Sequence, residues 1–175
     1  MHSGGDSRFD ERAQSIFTRL RERPLTILIW GPGEGSPAFT KRSDLKRELR
    51  AEFPSAEIHF SEDEQARLLT RDKFLYIHQE EFVHACAADI IFALDTAKGV
   101  GEEIAKYSTY AEIASKLVVL AHARWKGVGS YAEDVRVPLR VHWYPDDDFD
   151  NCNLAKLICK KYVWGWLLQH YGHNL

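Results

Sequence analysis

Two adjacent glutamates stand in a glycine-rich stretch that follows an apolar run of the sequence. The run is ADIIFAL at 88–94, and the stretch is DTAKGVGEEIAKY at 95–107. Glutamates are common in a first helical turn because they offset the positive end of the helix dipole, and Glu102 is also spaced to pair with Lys106. Helix stability explains Glu103 less completely. Amides and the dipole at this point would hold its carboxylate ionised, and a reaction through a sugar oxocarbenium ion requires an ionised carboxylate as nucleophile or stabiliser.

A second glycine-rich loop, GPGEGS at 31–36, follows the apolar run LTILIW. Glycines let the backbone approach a ligand, and successive amides can bind an anion. The loop residues predicted to hold ribose or phosphate are Gly31, Gly33, Gly35 and Ser36. The loop matches neither GxGxxG nor GxxxxGK[ST], and its prolines remove amide donors, so a plain strand-to-helix turn is an equal alternative. Lys41 and Arg42 after it fit either phosphate binding or solvated charge at a helix start.

The hydrophobic pattern along the chain alternates short apolar runs with amphipathic segments. Apolar runs predict strands at 25–30, 56–60, 89–94 and 116–121 and a fifth within VPLRVHWY, and periodic segments between them predict helices. An N-terminal helix is expected over about 9–23 and an aromatic C-terminal helix over about 151–171. This alternation indicates one α/β domain spanning 1–175. Its expected architecture is a flavodoxin-like three-layer sandwich with helices on both faces of a parallel five-stranded sheet, in the order 2-1-3-4-5.

That architecture brings the chemically suggestive residues to one edge of the sheet. Ligands of such sheets bind outside the carboxyl ends of the strands, near the switch between strands one and three. Both glycine-rich loops lie there, flanked by FSEDE after strand two and HARW after strand four. Glu103 and Asp95 are therefore the predicted catalytic residues, although an aspartate in a loop often only caps a turn. The predicted substrate contacts, besides the first glycine loop, are Trp30, Ser61, Asp63, Gly99, Gly101 and His122.

The stretch ADIIFALDTAKGVGEEIAKY…ASKLVVLA resembles the central motif of the nucleoside 2-deoxyribosyltransferase-like superfamily. That motif is a hydrophobic strand, an acidic loop, Gly-x-x-x-Glu and a lysine before the next strand. Related TIR domains share the fold and use a glutamate to cleave the glycosidic bond of NAD. The resemblance covers about 25–121 and places Gly99 and Glu103 on the family's glycine and catalytic glutamate. It places Asp89, Asp95 and Lys116 on flanking positions, while the family's second acid has only loose counterparts in Glu80 and Glu81.

The resemblance implies cleavage of the N-glycosidic bond of a nucleoside or nucleotide, NAD included, by hydrolysis or transfer. Glu103 would stabilise or trap the ribosyl cation, and no cofactor or metal is needed by this chemistry. Two other classes stay open: a nucleotide-binding module that senses or sequesters its ligand without turnover, and an assembly subunit. A role in bacterial antiviral defence is implied by the resemblance only.

Composition limits the partners of the chain. Its 175 residues carry a net charge of −3, which disfavours duplex nucleic acid because binding to DNA depends on neutralising phosphates. Neither a membrane span nor a secretory signal is recognisable, and the three cysteines lack CxxC spacing, so free thiols in the cytoplasm are expected. The aromatic residues of YVWGWLLQHY predict a surface for self-association or a protein partner. The histidines have no metal-ligand spacing.

Overall fold

A computed structural model describes residues 6–36, 38–95, 98–127, 139–145 and 152–175. The strands are β1 Leu25–Trp30, β2 Ala56–His59, β3 Ile90–Asp95, β4 Leu117–His122 and β5 Arg140–Tyr144. The α-helices are α1 Asp6–Arg21, α2 Phe39–Glu52, α3 Glu64–Leu68, α4 Ile77–Ala87, α5 Lys98–Tyr107, α6 Ala111–Ala114 and α7 Asn153–Tyr171. None of the helices in these ranges is long and apolar enough to cross a membrane.

The five strands form one parallel sheet in the order β2-β1-β3-β4-β5. The predicted α/β class, the parallel sheet and the flavodoxin-like strand order are confirmed. The register places Ile27 of β1 opposite Ile58 of β2 and Ile90 of β3. All six residues of β4 are buried, as expected for a strand covered on both faces.

Helices cover both faces of the sheet because successive strand residues point to opposite sides. On one face Ile27 and Ile29 of β1 pack with side chains of α1, α2 and α7. On the other face Leu28 and Trp30 pack with α4, α5 and α6, through residues such as Ile104. Trp30 therefore lies on the face that α5 covers, at the last position of β1.

Local differences from the predicted elements occur next to the expected ligand edge. The acidic loop after β2 contains the five-residue helix α3, which is too short to show a helical period. The single helix expected over 101–115 is two helices, α5 and α6, separated at 108–110. Helix α5 also begins earlier, at Lys98, so that Gly99 and Gly101 lie within it.

The aromatic side chains of α7 pack largely against this chain itself. The Trp164 ring lies 5.1 Å from that of Phe53 and 5.4 Å from that of Phe17, centroid to centroid. The hydroxyl of Tyr171 donates to the carbonyl oxygen of Pro24 at 2.9 Å. The large hydrophobic side chains that α7 exposes are aliphatic, namely Leu154, Leu157 and Leu168. The aromatic residues of α7 thus pack this helix against α1 and the end of α2 and bond it to the segment just before β1.

Candidate functional site

The end of β1 contributes a tryptophan to the carboxyl edge of the sheet. Trp30 is 1% exposed, and its indole Nε1 donates to Ser61 Oγ, which follows β2, at 3.2 Å. The Trp30 ring lies 5.4 Å from the ring of Tyr107 in α5, centroid to centroid. The structure therefore brings together Trp30 and Ser61, both predicted substrate contacts. Because both side chains are deeply buried, Trp30 forms part of the wall of the site. A ligand ring would stack on more exposed groups than Trp30.

Arg42 clamps the loop that follows β1. Its guanidinium donates to the carbonyl oxygen of Ile29 at 2.8 Å and also reaches the carbonyl oxygens of Gly31 and Pro32. It forms a bidentate ion pair with the carboxylate of Glu62. Arg42 is 2% exposed, so it is neither a solvated charge nor an open phosphate ligand. A pattern of local residues could not indicate this role, because every acceptor is more than nine residues away.

Glycine at position 31 is explained by this clamp. A Cβ atom at Gly31 would lie 2.9 Å from Cδ of Arg42, closer than such atoms approach each other. Gly33 and Gly35 are exposed and have open space where a side chain would lie. Ser36 Oγ accepts from the amide of Ala38 at 3.2 Å. Gly31 thus has a packing role, while Gly33, Gly35 and Ser36 form an exposed turn beside the site.

Asp63 closes the turn after β2. Its Oδ2 accepts from the amide of Phe60 at 2.8 Å and from the ammonium of Lys46. Burial alone would raise the pKa of Asp63, but the hydrogen bonds from Lys46 and Phe60 outweigh it and hold the pKa below its usual value. Asp63 therefore has a structural task at its predicted position.

Glu103 lies in the second turn of α5, which places it among charged neighbours from other elements. Burial and the negative charge of Glu81 raise the pKa of Glu103 to about 8, against the opposing effect of Arg42. The expectation of an ionised carboxylate is therefore wrong for the protein alone. The dipole acts mainly on the first helical turn, and α5 has no acidic residue there because it begins at Lys98.

Glu81 on α4 supplies a second acid beside Glu103. The hydroxyl of Tyr107 lies 3.1 Å from Oε2 of Glu81 and 3.0 Å from the carbonyl oxygen of His78. Burial and Glu81 also raise the pKa of Tyr107, so this hydroxyl stays a hydrogen-bond donor. Glu81 was only a loose counterpart of the family's second acid in the sequence, because the packing of α4 on α5 cannot be derived from local spacing.

The other predicted site residues are more scattered. Asp95 ends β3 opposite Ala121, but its side chain lies outside the described residues. Gly99 and Gly101 lie in the first turns of α5. His122 is fully buried, and its ring packs edge-on against Tyr144, which belongs to the face covered by α7. The structure therefore places His122 on the opposite face of the sheet from Trp30.

The residues assembled here can carry acid–base chemistry. The negative charge of Glu81 acts on the protonation of Glu103, and Arg42 and Glu62 add further charge beside Glu103. When two titratable groups lie in different environments, their pKa values move apart. One site can then hold both an acid and a base. Among the described residues, no group of three or more His, Cys, Asp or Glu side chains could hold a metal ion.

The raised pKa of Glu103 predicts a specific pH dependence of stability. Because the folded-state pKa is above the unfolded one, Glu103 binds its proton more tightly in the folded protein between about pH 4.5 and 8. Its contribution is complete below pH 4.5 and is lost as the pH rises towards 8, by about 1.4 kcal/mol per pH unit at most. We expect the free energy of unfolding of Glu103→Gln, relative to wild type, to rise with pH over this window.

Urea unfolding at half-unit pH intervals measures that difference. Glu102→Gln is the matched control, since Glu102 is the exposed neighbour on the same helix. A Glu103→Gln difference that does not change with pH would show that the carboxyl group is ionised at neutral pH.

Comparisons with known proteins do not add to this geometry. No model of a known protein family matches the sequence, and no curated protein matches it either.

Proposed function

We propose that this chain cleaves the N-glycosidic bond of a nucleoside or nucleotide, by hydrolysis or transfer, with NAD among the candidate substrates. The observation that carries the proposal is the pair of carboxyl groups, Glu103 and Glu81, at the carboxyl edge of β1 and β3. Parallel α/β sheets bind their ligands at this edge. The resemblance to nucleoside deoxyribosyltransferase-like and TIR-like domains supports the same reading through Gly99 and Glu103.

The proposed reaction uses the proton that Glu103 holds at neutral pH. Glu103 gives this proton to the departing base, which takes the electrons of the glycosidic bond and leaves a ribosyl oxocarbenium ion. Glu103 is then a carboxylate, and with Glu81 it stabilises the cation. Water or an acceptor hydroxyl adds to the anomeric carbon, and its proton returns to Glu103. A base that is already cationic, such as nicotinamide in NAD, needs no proton, so with this substrate the ionised form of Glu103 is the active one.

The other predicted residues take supporting roles in this proposal. Asp95 positions sugar hydroxyls or assists proton transfer, and the turn from Gly33 to Ser36 holds ribose or phosphate. Arg42 acts through Glu62 and the β1 carbonyls, so it is a positioning residue. The cytoplasmic location expected from the sequence belongs to the same proposal.

Chromatography of NAD and of a panel of nucleosides and nucleotides tests this function directly. After incubation with wild-type protein, we expect free base to appear in proportion to enzyme and time. Absence of free base from every member of the panel, at enzyme concentrations comparable to substrate, would overturn the proposal.

One observation favours the second candidate function, binding without turnover. The guanidinium of Arg42 is already engaged by Glu62 and by β1 carbonyls, and Glu103 is largely protonated at pH 7. A neutral carboxyl group beside the Arg42–Glu62 ion pair can recognise a base by hydrogen bonds. Equilibrium dialysis with the same nucleotides separates the two, since a sensor binds a ligand that it returns intact. An assembly role, in antiviral defence or elsewhere, rests on the resemblance and on the exposed leucines of α7.

A further inference from the structure

A cavity of about 760 Å³ lies at the opposite edge of the sheet from Glu103. Its walls are the amino ends of β3, β4 and β5 and the C-terminal half of α7. This volume is within the range of about 300–1,000 Å³ that is usual for small-molecule sites. The cavity shares no lining residue with the carboxyl-edge site, so it is independent of the proposed reaction.

Some of the charged side chains that line the cavity already contact other groups of the protein. Asp89 accepts from the amide of Thr26 at 2.8 Å, and Lys116 donates to the carbonyl oxygen of Cys86 at 2.7 Å. Glu112 lies 3.9 Å from the Lys116 ammonium. Asp89 and Lys116 are used by the fold, and together with Glu112 these side chains carry one net negative charge, so the cavity lining becomes positive only through Arg140 and Lys161. The flanking positions that the resemblance assigns to Asp89 and Lys116 are thus structural ones at the amino edge.

Arg140 and Lys161 are the remaining cations of the lining. Both are exposed, and in the described part of the chain neither forms an ion pair. The Arg140 guanidinium lies 6.0 Å from the ring centroid of Tyr162, which orients it along the wall. Two cations on neighbouring elements of one cavity, neither paired with a carboxylate of the described ranges, favour an anionic ligand group.

The same cavity is lined by a pair of aromatic rings. The rings of Trp166 and His170 are stacked, with centroids 3.9 Å apart and planes 17° apart. Gly165, which directly precedes Trp166, also lines the cavity, and a Cβ atom there would meet nothing within 4 Å. A glycine inside a 19-residue helix costs helix stability relative to alanine, and its effect here is to keep the space beside the rings free.

We propose that this cavity binds a planar aromatic anion of the size of a nucleoside monophosphate. The anionic group lies between Arg140 and Lys161, and the ring packs against Trp166 beside Gly165. The proposal stands on the cavity, the two cations and the ring surface, and it does not depend on the proposed reaction.

Isothermal titration calorimetry with AMP tests the site at low salt, where charge contributes most. We expect AMP to bind. Adenosine, which lacks the anionic group, and inorganic phosphate, which lacks the aromatic ring, should each bind at least tenfold more weakly. Arg140→Gln and Lys161→Gln should each weaken AMP binding about tenfold or more. Arg47→Gln is the matched control, because Arg47 is an exposed arginine paired with Asp44 on α2, and it should leave AMP binding unchanged.

Two further variants separate filling of the cavity from loss of the fold. Gly165→Leu should abolish AMP binding, whereas Gly165→Ala should keep it and raise Tm by about 2–4 °C. Glu103→Gln should leave the AMP affinity within about twofold, whatever its effect on base release. No heat of binding at millimolar AMP, or binding that survives both cation variants, would overturn the inference. So would binding that is lost in Glu103→Gln, because the ligand would then lie at the carboxyl edge.

Discussion

Replacing Glu103 with glutamine should abolish base release while leaving the fold intact. Glutamine keeps the size of the side chain but can neither give up a proton nor carry the negative charge that a ribosyl cation requires. Loss of a general acid typically costs about 10²–10⁴-fold in rate, and loss of the stabilising charge adds to it. We expect kcat/KM to fall by at least about 10³-fold in a chromatographic assay of free base.

The neighbouring residue provides the control for this result. Glu102 is exposed on the same helix, so Glu102→Gln makes the same chemical change one position away and should retain nearly full activity. The dependence on pH adds a second test. Release of a neutral base should decline above about pH 8, where Glu103 loses its proton, whereas release of nicotinamide from NAD should increase. Equal loss in both variants, or full activity of Glu103→Gln, would contradict the assigned role.

Replacing Arg42 with methionine should destabilise the protein by about 2–3 kcal/mol, less than the roughly 3–5 kcal/mol of a fully buried ion pair, because the Glu62 side chain is 34% exposed. The variant keeps much of the aliphatic stem but leaves the Glu62 carboxylate and the carbonyl oxygen of Ile29 without their donor. It also removes the positive charge that lowers the pKa of Glu103, so that pKa should rise further. The free energy of unfolding from urea titration measures the first effect.

Arg47→Met on the same helix is the matched control. Arg47 is exposed and pairs with Asp44 on the same helix, so its replacement should change stability by about 0.5 kcal/mol or less. If the two variants unfold at the same urea concentration, the clamp on the β1 loop contributes nothing to stability. Arg42→Met, Glu62→Met and the double variant then measure the coupling between the pair, which we expect to exceed 1 kcal/mol.

The fold could be predicted because its signals are local. Runs such as LTILIW and DIIFAL are continuous and apolar, as strands buried on both faces must be, and the segments between them have helical periods. Helix α3 could not be found in this way because five residues do not complete two turns. The break between α5 and α6 at 108–110 contains no proline or glycine, so no breaker residue indicated it.

Only part of the candidate site could be predicted from the sequence in the same way. Glu103, Trp30 and Ser61 were predicted because each lies at the carboxyl end of a predicted strand or in the segment that follows one. Arg42 was misjudged because its partners come from β1 and from the loop after β2. The predicted ionisation of Glu103 was wrong for a related reason: its raised pKa depends first on burial and then on Glu81, and both follow from the packing of elements that are distant in the sequence.

The strand order also governs how this chain reaches its native state. Parallel neighbouring strands cannot be joined by a tight hairpin. Every strand pair in this sheet therefore needs a long crossover segment between its two strands. Among the strand pairs, the pairing of β1 with β3 requires the most distant contacts in the sequence, because β2 and its flanking helices lie between these two strands along the chain. One example is the hydrogen bond between Thr26 and Asp89, which are 63 residues apart. Proteins dominated by such distant pairings fold in milliseconds to seconds, not microseconds. We therefore expect the carboxyl-edge site, which joins the ends of β1 and β3 to α4 and α5, to form only once β1 and β3 have paired.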